Sequence, residues 1–336
     1  MHGEWLDPVV CNTGTRKLKH QLDQTECTAS PPGKPRLRLV LAGFVALLAL
    51  TELGMRMGGL IEFPVYLRDD YFGYAPGPNQ SGRFIRQNDW VFNDLGMGVA
   101  EPWKATDRTD VLLIGNSIVL GGNPYDQKDK IAPRIQSHLP SSCALWPVAA
   151  GGWTTVNEYR FLERHSDVVA GADFFVWEYM AHQMGGVNMW SRETAHPTQR
   201  PTWATGYVVR KALDRRFPST PRFELRDPDD AAQNYDQFDL MLKRLVEASG
   251  RRPAGVIFLY PDQQQLATAR SGLEWLADRP LLERLVAKHG LVLIDVASYP
   301  QWTAAMYKDG IHPTRDGNAL LASILADAVR KHADRC

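Results

Sequence analysis

Neither sign of charge dominates this chain of 336 residues: 38 Lys and Arg stand against 38 Asp and Glu. A protein that grips duplex nucleic acid normally carries a basic excess, so nucleic acid is not an expected partner. Cysteine is scarce. The four that exist, Cys11, Cys27, Cys143 and Cys336, make no CxxC pair and no metal-ligand spacing, which argues against a zinc site. Nothing in the sequence suggests a required metal or a nucleotide cofactor, and no internal repeat is visible. Cys11 and Cys27 precede the one long hydrophobic segment; Cys143 and Cys336 follow it. In an oxidising compartment the last two could pair; unconnected thiols are the other reading. What the chain does hold is core-forming material, 44% hydrophobic against 23% charged. At this length that suffices for one large domain or two ordinary ones.

Residues 1–38 are polar, aperiodic and contain Pro31, Pro32 and Pro35, the composition of a disordered, cytoplasmic tail. The run LVLAGFVALLAL at 39–50 is continuously apolar and continues, with Glu52 and Arg56 interposed, to residue 61. Glu52 and Arg56 are four apart, so on a helix they can pair near a membrane interface. Lys34, Arg36 and Arg38 give the run a basic flank, which predicts a cytoplasmic N-terminus. The long leader and the lack of a clean small-x-small cleavage site favour an uncleaved anchor at 39–61 over a removed signal or a buried helix. The remainder then lies outside the cytoplasm, on the periplasmic side of an inner membrane crossed once. Residues 62–108, rich in Gly, Pro, Asn and aromatics, read as a stem packed on a domain edge, with a turn at 93–96.

From residue 109 to the end, short apolar runs alternate with helical periodicity. Strands are expected at 110–115, 144–150, 173–180, 254–261 and 291–298, with Pro147 marking an edge strand. Helices are expected at 127–138, 154–164, 230–248, 273–289 and 318–332, the second capped by Thr154 or Thr155. Continuous apolar strands separated by helices predict an α/β domain with a parallel sheet covered on both faces. An insertion at 181–229 carries Trp190, Trp203, Tyr207, Phe217, His182, His196 and the basic residues Arg210, Lys211, Arg215 and Arg216. Loops of that length often serve as lids. Its aromatics would either stack on a substrate or form the insertion's own small core.

Two stretches carry chemistry. The first, VLLIGNSIVLGG at 111–122, is a buried strand ending in a turn with Ser117; the second, YKDGIHPT at 307–314, sets Asp309 and His312 three apart before the last helix. In an open parallel sheet, ligands bind beyond the carboxyl ends of the strands. Ser117, the Gly151 and Gly152 pair after the second strand, and the Asp309–His312 loop after the fifth are all predicted at that rim. There Asp309 would orient the imidazole, His312 would take the proton of Ser117, and a glycine N–H with that of Ser117 would receive developing negative charge. Pro313 keeps the histidine loop extended.

These residues resemble the SGNH, or GDSL-type, hydrolases. GNS at 115–117 is similar to the first block of that family with Asn in place of the more usual Asp; VAAGGWTT at 148–155 resembles the second, and DGIHPTRDGNALLASILADAV at 309–329 the last. The resemblance covers roughly 108–335. It implies a flavodoxin-like three-layer sandwich around a five-stranded parallel sheet, with Ser117, Asp309 and His312 catalytic. The implied oxyanion hole is built by Ser117 and Gly152, with Gly151 as the one-residue alternative. The family's third block supplies an Asn that this chain lacks; VWEYMAHQ at 176–183, with Glu178 and Tyr179, stands there. Asn157, Gln183 and Asn188 are unranked candidates to replace it. The GxSxG elbow of the other large serine-hydrolase fold is absent. The implied activity is a membrane-anchored serine esterase that removes an acyl group, in the first instance acetyl, from a carbohydrate or other cell-envelope ester. An O-acetyltransferase acting on a polysaccharide, and a non-catalytic glycan-binding or assembly protein, are the alternatives.

Overall fold

The computed structural model describes residues 34–181, 183–217, 224–226 and 231–336. The polar leader with Cys11 and Cys27, and His182 in the insertion, lie outside the described residues. The chain divides into a unit ending at Leu47 and a larger one from Leu48 to Cys336. Helix α1 (Lys34–Met57) is apolar from Leu37 to Met57, 21 residues, or about 31 Å at 1.5 Å per residue. That is long enough to cross the hydrocarbon of a bilayer. Its Glu52 and Arg56 pair at 2.7 Å.

The stem expected at 62–108 contains regular structure. It forms two antiparallel hairpins, β1 (Tyr66–Asp69) with β2 (Gly73–Pro76) and β3 (Gln80–Phe84) with β4 (Asn88–Phe92). Tyr74 and Met97 from this region lie fully inside the main core. The strands are only four or five residues long, which is why no run of periodicity announced them. The turn at 93–96 is real: Asn93 Oδ1 accepts the backbone N–H groups of Leu95 and Met97, and Gly96 takes a positive φ of 75°.

The remaining elements run β5 (Thr109–Gly115), α2 (Ser117–Leu120), α3 (Ile131–His138), β6 (Cys143–Ala149), α4 (Thr155–Arg164), α5 (Ser166–Ala170), β7 (Phe174–Tyr179), β8 (Val187–Met189), α6 (Ala204–Arg216), β9 (Glu224–Arg226), α7 (Ala231–Ser249), β10 (Gly255–Leu259), α8 (Gln263–Arg270), α9 (Arg279–His289), β11 (Val292–Asp295) and α10 (Arg315–His332). The five expected strands form one sheet in the order β11-β10-β7-β5-β6, every pairing parallel. Numbered along the chain, that is 2-1-3-4-5, the flavodoxin-like order. Residues of β5, β6, β7 and β10 are buried throughout, as strands covered on both faces must be. Helices α3 and α10 pack together, as do α4 with α7 and α7 with α9. Pro147 sits in β6 at the sheet edge, where its missing N–H breaks no ladder. Thr154 caps α4 in a reciprocal box with Asn157. The helix expected at 273–289 is shorter, because Pro280 opens α9 and lacks the N–H a helix interior needs; α8 was not foreseen.

Cys143, first in β6, and Cys336, the last residue, form a disulfide with Cα atoms 5.5 Å apart and 193 positions apart in sequence. It ties the chain terminus to the edge strand. Restricting so long a loop in the unfolded chain is worth about 2–5 kcal/mol. Urea unfolding of Cys143→Ser with Cys336→Ser should show stability lower by that amount; an unchanged midpoint would mean the closure contributes nothing.

Candidate active site

Strand β5 ends at Gly115 with its residues buried, and the chain must turn at once into α2. A Cβ on Gly115 would lie 2.3 Å from Glu178 Oε2 and 2.5 Å from Val119 Cγ2, so only glycine lets the turn close. Asn116 caps α2, its Oδ1 accepting the Ile118 N–H at 3.0 Å. The cap needs only an acceptor oxygen, which an Asn side chain offers as an Asp would. Ser117 is the first helical residue, half-buried at the carboxyl end of β5.

The second piece is a loop held from three sides. Tyr307 donates its hydroxyl to the Pro261 carbonyl at 2.6 Å and accepts the Trp302 indole N–H at 2.8 Å. Tyr260 donates to the Ile311 carbonyl and Tyr125 to the Pro313 carbonyl, at 2.6 and 2.7 Å. Tyr307 and Pro313 bridge, and the Lys308 N–H donates to the His312 carbonyl at 2.8 Å. Gly310 makes the tight turn at φ 86°. Thr314 then caps α10, and Gly317 is required because a Cβ there would stand 2.5 Å from the Met306 carbonyl.

These two pieces, 195 residues apart in sequence, meet with His312 Nε2 3.0 Å from Ser117 Oγ. On the far side of the ring, Nδ1 lies 3.0 Å from both carboxylate oxygens of Asp309. Asp309 Oδ1 also accepts the His312 backbone N–H at 2.9 Å. Partial burial raises the Asp309 carboxyl, but the His312 backbone and ring N–H contacts outweigh it and hold it below the usual range. It is therefore an anion at neutral pH, which fixes the tautomer: Nδ1–H donates to Asp309 and Nε2 is left to accept from Ser117.

Gly151 and Gly152 lie in a turn after β6, Gly152 at φ 85°. The Gly151 carbonyl accepts from the Tyr74 hydroxyl and from His196 Nε2–H, each at 2.8 Å. The Gly152 carbonyl accepts from Asn188 Nδ2 at 2.7 Å. A trans peptide points its N–H opposite to its C=O. Anchoring the Gly151 carbonyl therefore turns the Gly152 N–H the other way. Tyr74 and His196 were missed as supports of this turn, and Asn188, expected as a candidate oxyanion donor, holds the turn's carbonyl instead; they come from a hairpin and the insertion, and no local signal in sequence linked them to this turn.

Two of the three candidates for the missing Asn are otherwise engaged. Asn157 Nδ2 donates to the carbonyls of Phe72 and Asn188, and Asn188 Nδ2 to Gly152 and Tyr74. Gln183 is half-buried, its Oε1 without a hydrogen-bond partner among the described residues. Tyr179 bonds to Tyr235 and Asp278. Glu178 is not at the rim at all. It is buried behind the nucleophile turn, Oε2 accepting the Asn116 N–H at 3.0 Å. Burial pushes its carboxyl up to about 8 against the opposing pull of the Asn116 and Val119 N–H groups. Of the insertion's aromatics, Trp190 is covered by the Arg68 guanidinium at 3.2 Å and donates to the His196 carbonyl, while His196 packs on Tyr66 and Tyr74. That is packing, not a substrate platform. A cavity of about 480 Å³ lies between β6, α3 and the 98–108 segment, and none of its lining residues is Ser117, Gly152, Asp309 or His312.

No family model matches the chain, and no curated protein is similar to it. Solved structures are. They include a lipase/acylhydrolase from Enterococcus faecalis (15% identity, 66% of this chain and 95% of that one, TM-score 0.39). A carbohydrate acetylesterase family member from Sinorhizobium meliloti shows 16% identity over 66% and 98%, TM-score 0.37. A member of the lipolytic protein G-D-S-L family from Veillonella parvula shows 12% over 66% and 98%, TM-score 0.37.

Two outcomes follow from the site. Because Glu178 keeps its proton in the fold up to about pH 8, while the unfolded chain loses it near 4.5, folding stability falls as pH rises between those values, by about 1.4 kcal/mol per unit. Glu178→Gln should remove that slope: urea midpoints of the variant and the parent should agree below pH 4.5 and diverge towards pH 8, the variant being more stable. Parallel curves would refute the burial argument. Tyr74→Phe removes one of the two donors to the Gly151 carbonyl, and a misaimed Gly152 N–H should lower kcat by up to ~10²-fold with little change in KM; a KM effect alone would place Tyr74 in substrate binding instead.

Proposed function

We propose that the protein is a serine esterase that removes an acyl group, acetyl in the first instance, from a carbohydrate or other cell-envelope ester outside the cytoplasm. The observation that carries the reading is the Ser117–His312–Asp309 chain of 3.0 Å contacts. In the first half-reaction Ser117 Oγ attacks the ester carbonyl carbon while its proton passes to His312 Nε2. The carbonyl oxygen becomes an oxyanion facing the N–H groups of Ser117 and Gly152. Collapse breaks the bond to the alcohol oxygen, which leaves with the proton from Nε2, and the acyl group stays on Ser117. Water then gives its proton to His312, attacks the acyl carbon and releases the acid, returning the proton to Ser117. Asp309 keeps the ring oriented and balances its transient charge.

The openness of the site favours a small acyl group on a bulky alcohol. Asp309 is exposed and His312 only partly covered, so the leaving alcohol has room to extend into solvent. Two features support an extracytoplasmic location: α1 can cross a bilayer with the basic residues 34–38 on its cytoplasmic side, and the Cys143–Cys336 disulfide belongs in an oxidising compartment.

Hydrolysis of a chromogenic acetyl ester should be present in the intact protein and fall by at least ~10³-fold in Ser117→Ala and in His312→Ala. A fluorophosphonate probe should label the parent at Ser117 and not the variant. Equal rates in parent and variants, or no labelling, would rule out the esterase and favour the non-catalytic alternative.

A further inference from the structure

The end of α1 is clamped to the insertion by a carboxylate. Helix α6 begins at Ala204 with Trp203 at its cap position, and no side chain of its own satisfies its first N–H groups. Glu52 does so from α1: Oε1 accepts the Ala204 N–H at 2.9 Å, and Oε2 accepts the Thr205 N–H and hydroxyl at 2.8 and 2.9 Å. Arg56 closes the arrangement, bonding to Glu52 and to the Thr202 carbonyl. Beneath it a small second core of Ile61, Phe63 and Ala204, with Met55, Phe84 and Tyr207 against it, fixes the same junction.

This junction sets a depth. Glu52 lies within the apolar stretch Leu37–Met57, five residues or about 7.5 Å along the axis from its end. A carboxylate there is tolerated only with partners, and α6 with Arg56 provides them. If α1 spans the bilayer, the N-terminus of α6 is held at the boundary between hydrocarbon and headgroups.

The outer face of α6 is built for that place. Val209, Leu213 and Phe217 follow in steps of four and share one face, and each is more than half exposed. Trp203, also more than half exposed, lays its ring over Gly206 on this same face, where a Cβ would meet it at 2.2 Å. Exposed Arg210 and Arg216 flank the stripe, while Lys211 turns inward onto Phe63 and Tyr207. An aromatic and aliphatic stripe edged by arginine is the pattern of a helix lying in the plane of a membrane surface, with the cations set for anionic headgroups.

We infer that α6 is an interfacial helix that seats Trp203, Val209, Leu213 and Phe217 in the outer leaflet and sets Arg210 and Arg216 at lipid phosphates. The inference rests on α1 being a membrane span. The test uses the full chain with Cys11→Ser and Cys27→Ser, reconstituted into phosphatidylcholine and phosphatidylglycerol vesicles containing lipids brominated in the acyl chain. An environment-sensitive NBD probe is attached in turn through Val209→Cys, Leu213→Cys and Phe217→Cys. Phe44→Cys in α1 reports the span, and Arg244→Cys on the exposed side of α7 is the aqueous reference. Brominated lipid should quench the three α6 probes and Phe44→Cys, and leave Arg244→Cys bright. Quenching at Phe44→Cys with α6 probes as bright as the reference would overturn the interfacial helix and leave the span standing. An unquenched Phe44→Cys would remove the span and this inference together.

Discussion

A single hydrogen bond between an imidazole and a hydroxyl, His312 to Ser117 at 3.0 Å, is the contact around which this molecule makes chemical sense. It exists because parallel strands all end on one rim. Ser117 leaves the end of β5, the Gly151–Gly152 turn leaves β6, and the histidine loop comes after β11. None of these segments is near another in sequence. A parallel sheet of order 2-1-3-4-5 brings them to the same edge, and the packing of tyrosines and Trp302 under the 307–313 loop stops the histidine from drifting.

The same logic extends one shell outward. The Ser117 turn rests on a buried glutamate that the fold keeps protonated by burial, and Gly115 is there because Glu178 and Val119 leave no room for a Cβ. Tyr74 and His196 grip the Gly151 carbonyl, so that the Gly152 N–H faces the other way, and Asn188 holds the Gly152 carbonyl. Those donors belong to the hairpin β1–β2 and to the insertion. Segments that would pass for decoration on an α/β core therefore set the direction of the Gly151–Gly152 peptide.

The 48–336 unit has a second organising point, at Glu52. There a carboxylate from the apolar helix completes the hydrogen bonding of α6, and hydrophobic residues after the helix fill the space beneath. One part of the insertion thus serves the glycine turn and another the junction with α1.

How much of this could be read from residues alone depends on whether the signal was local. The five strands were legible because strands buried on both faces must be continuously apolar, and the site residues because turn glycines, a serine after a strand and a DxxH before a helix are short-range patterns. Pro147 marked the edge strand for the same reason: a missing N–H is a property of one residue. The hairpins within 62–92 were illegible, since strands of four or five residues carry too few alternations to stand out. Glu178 could be seen to replace an expected sequence block, but only the packing of β7 beneath the nucleophile turn turned it into a buried, proton-holding support. The pairing of Cys143 with Cys336, the holding of the Gly151 and Gly152 carbonyls by Tyr74, His196 and Asn188, and the capping of α6 by Glu52 were decided by tertiary structure, because each joins groups dozens to hundreds of residues apart. The sequence determined which chemical groups were present and where each strand ends; the fold alone determined which of them touch, because hydrogen bonds form over 3 Å of space and take no account of distance along the chain.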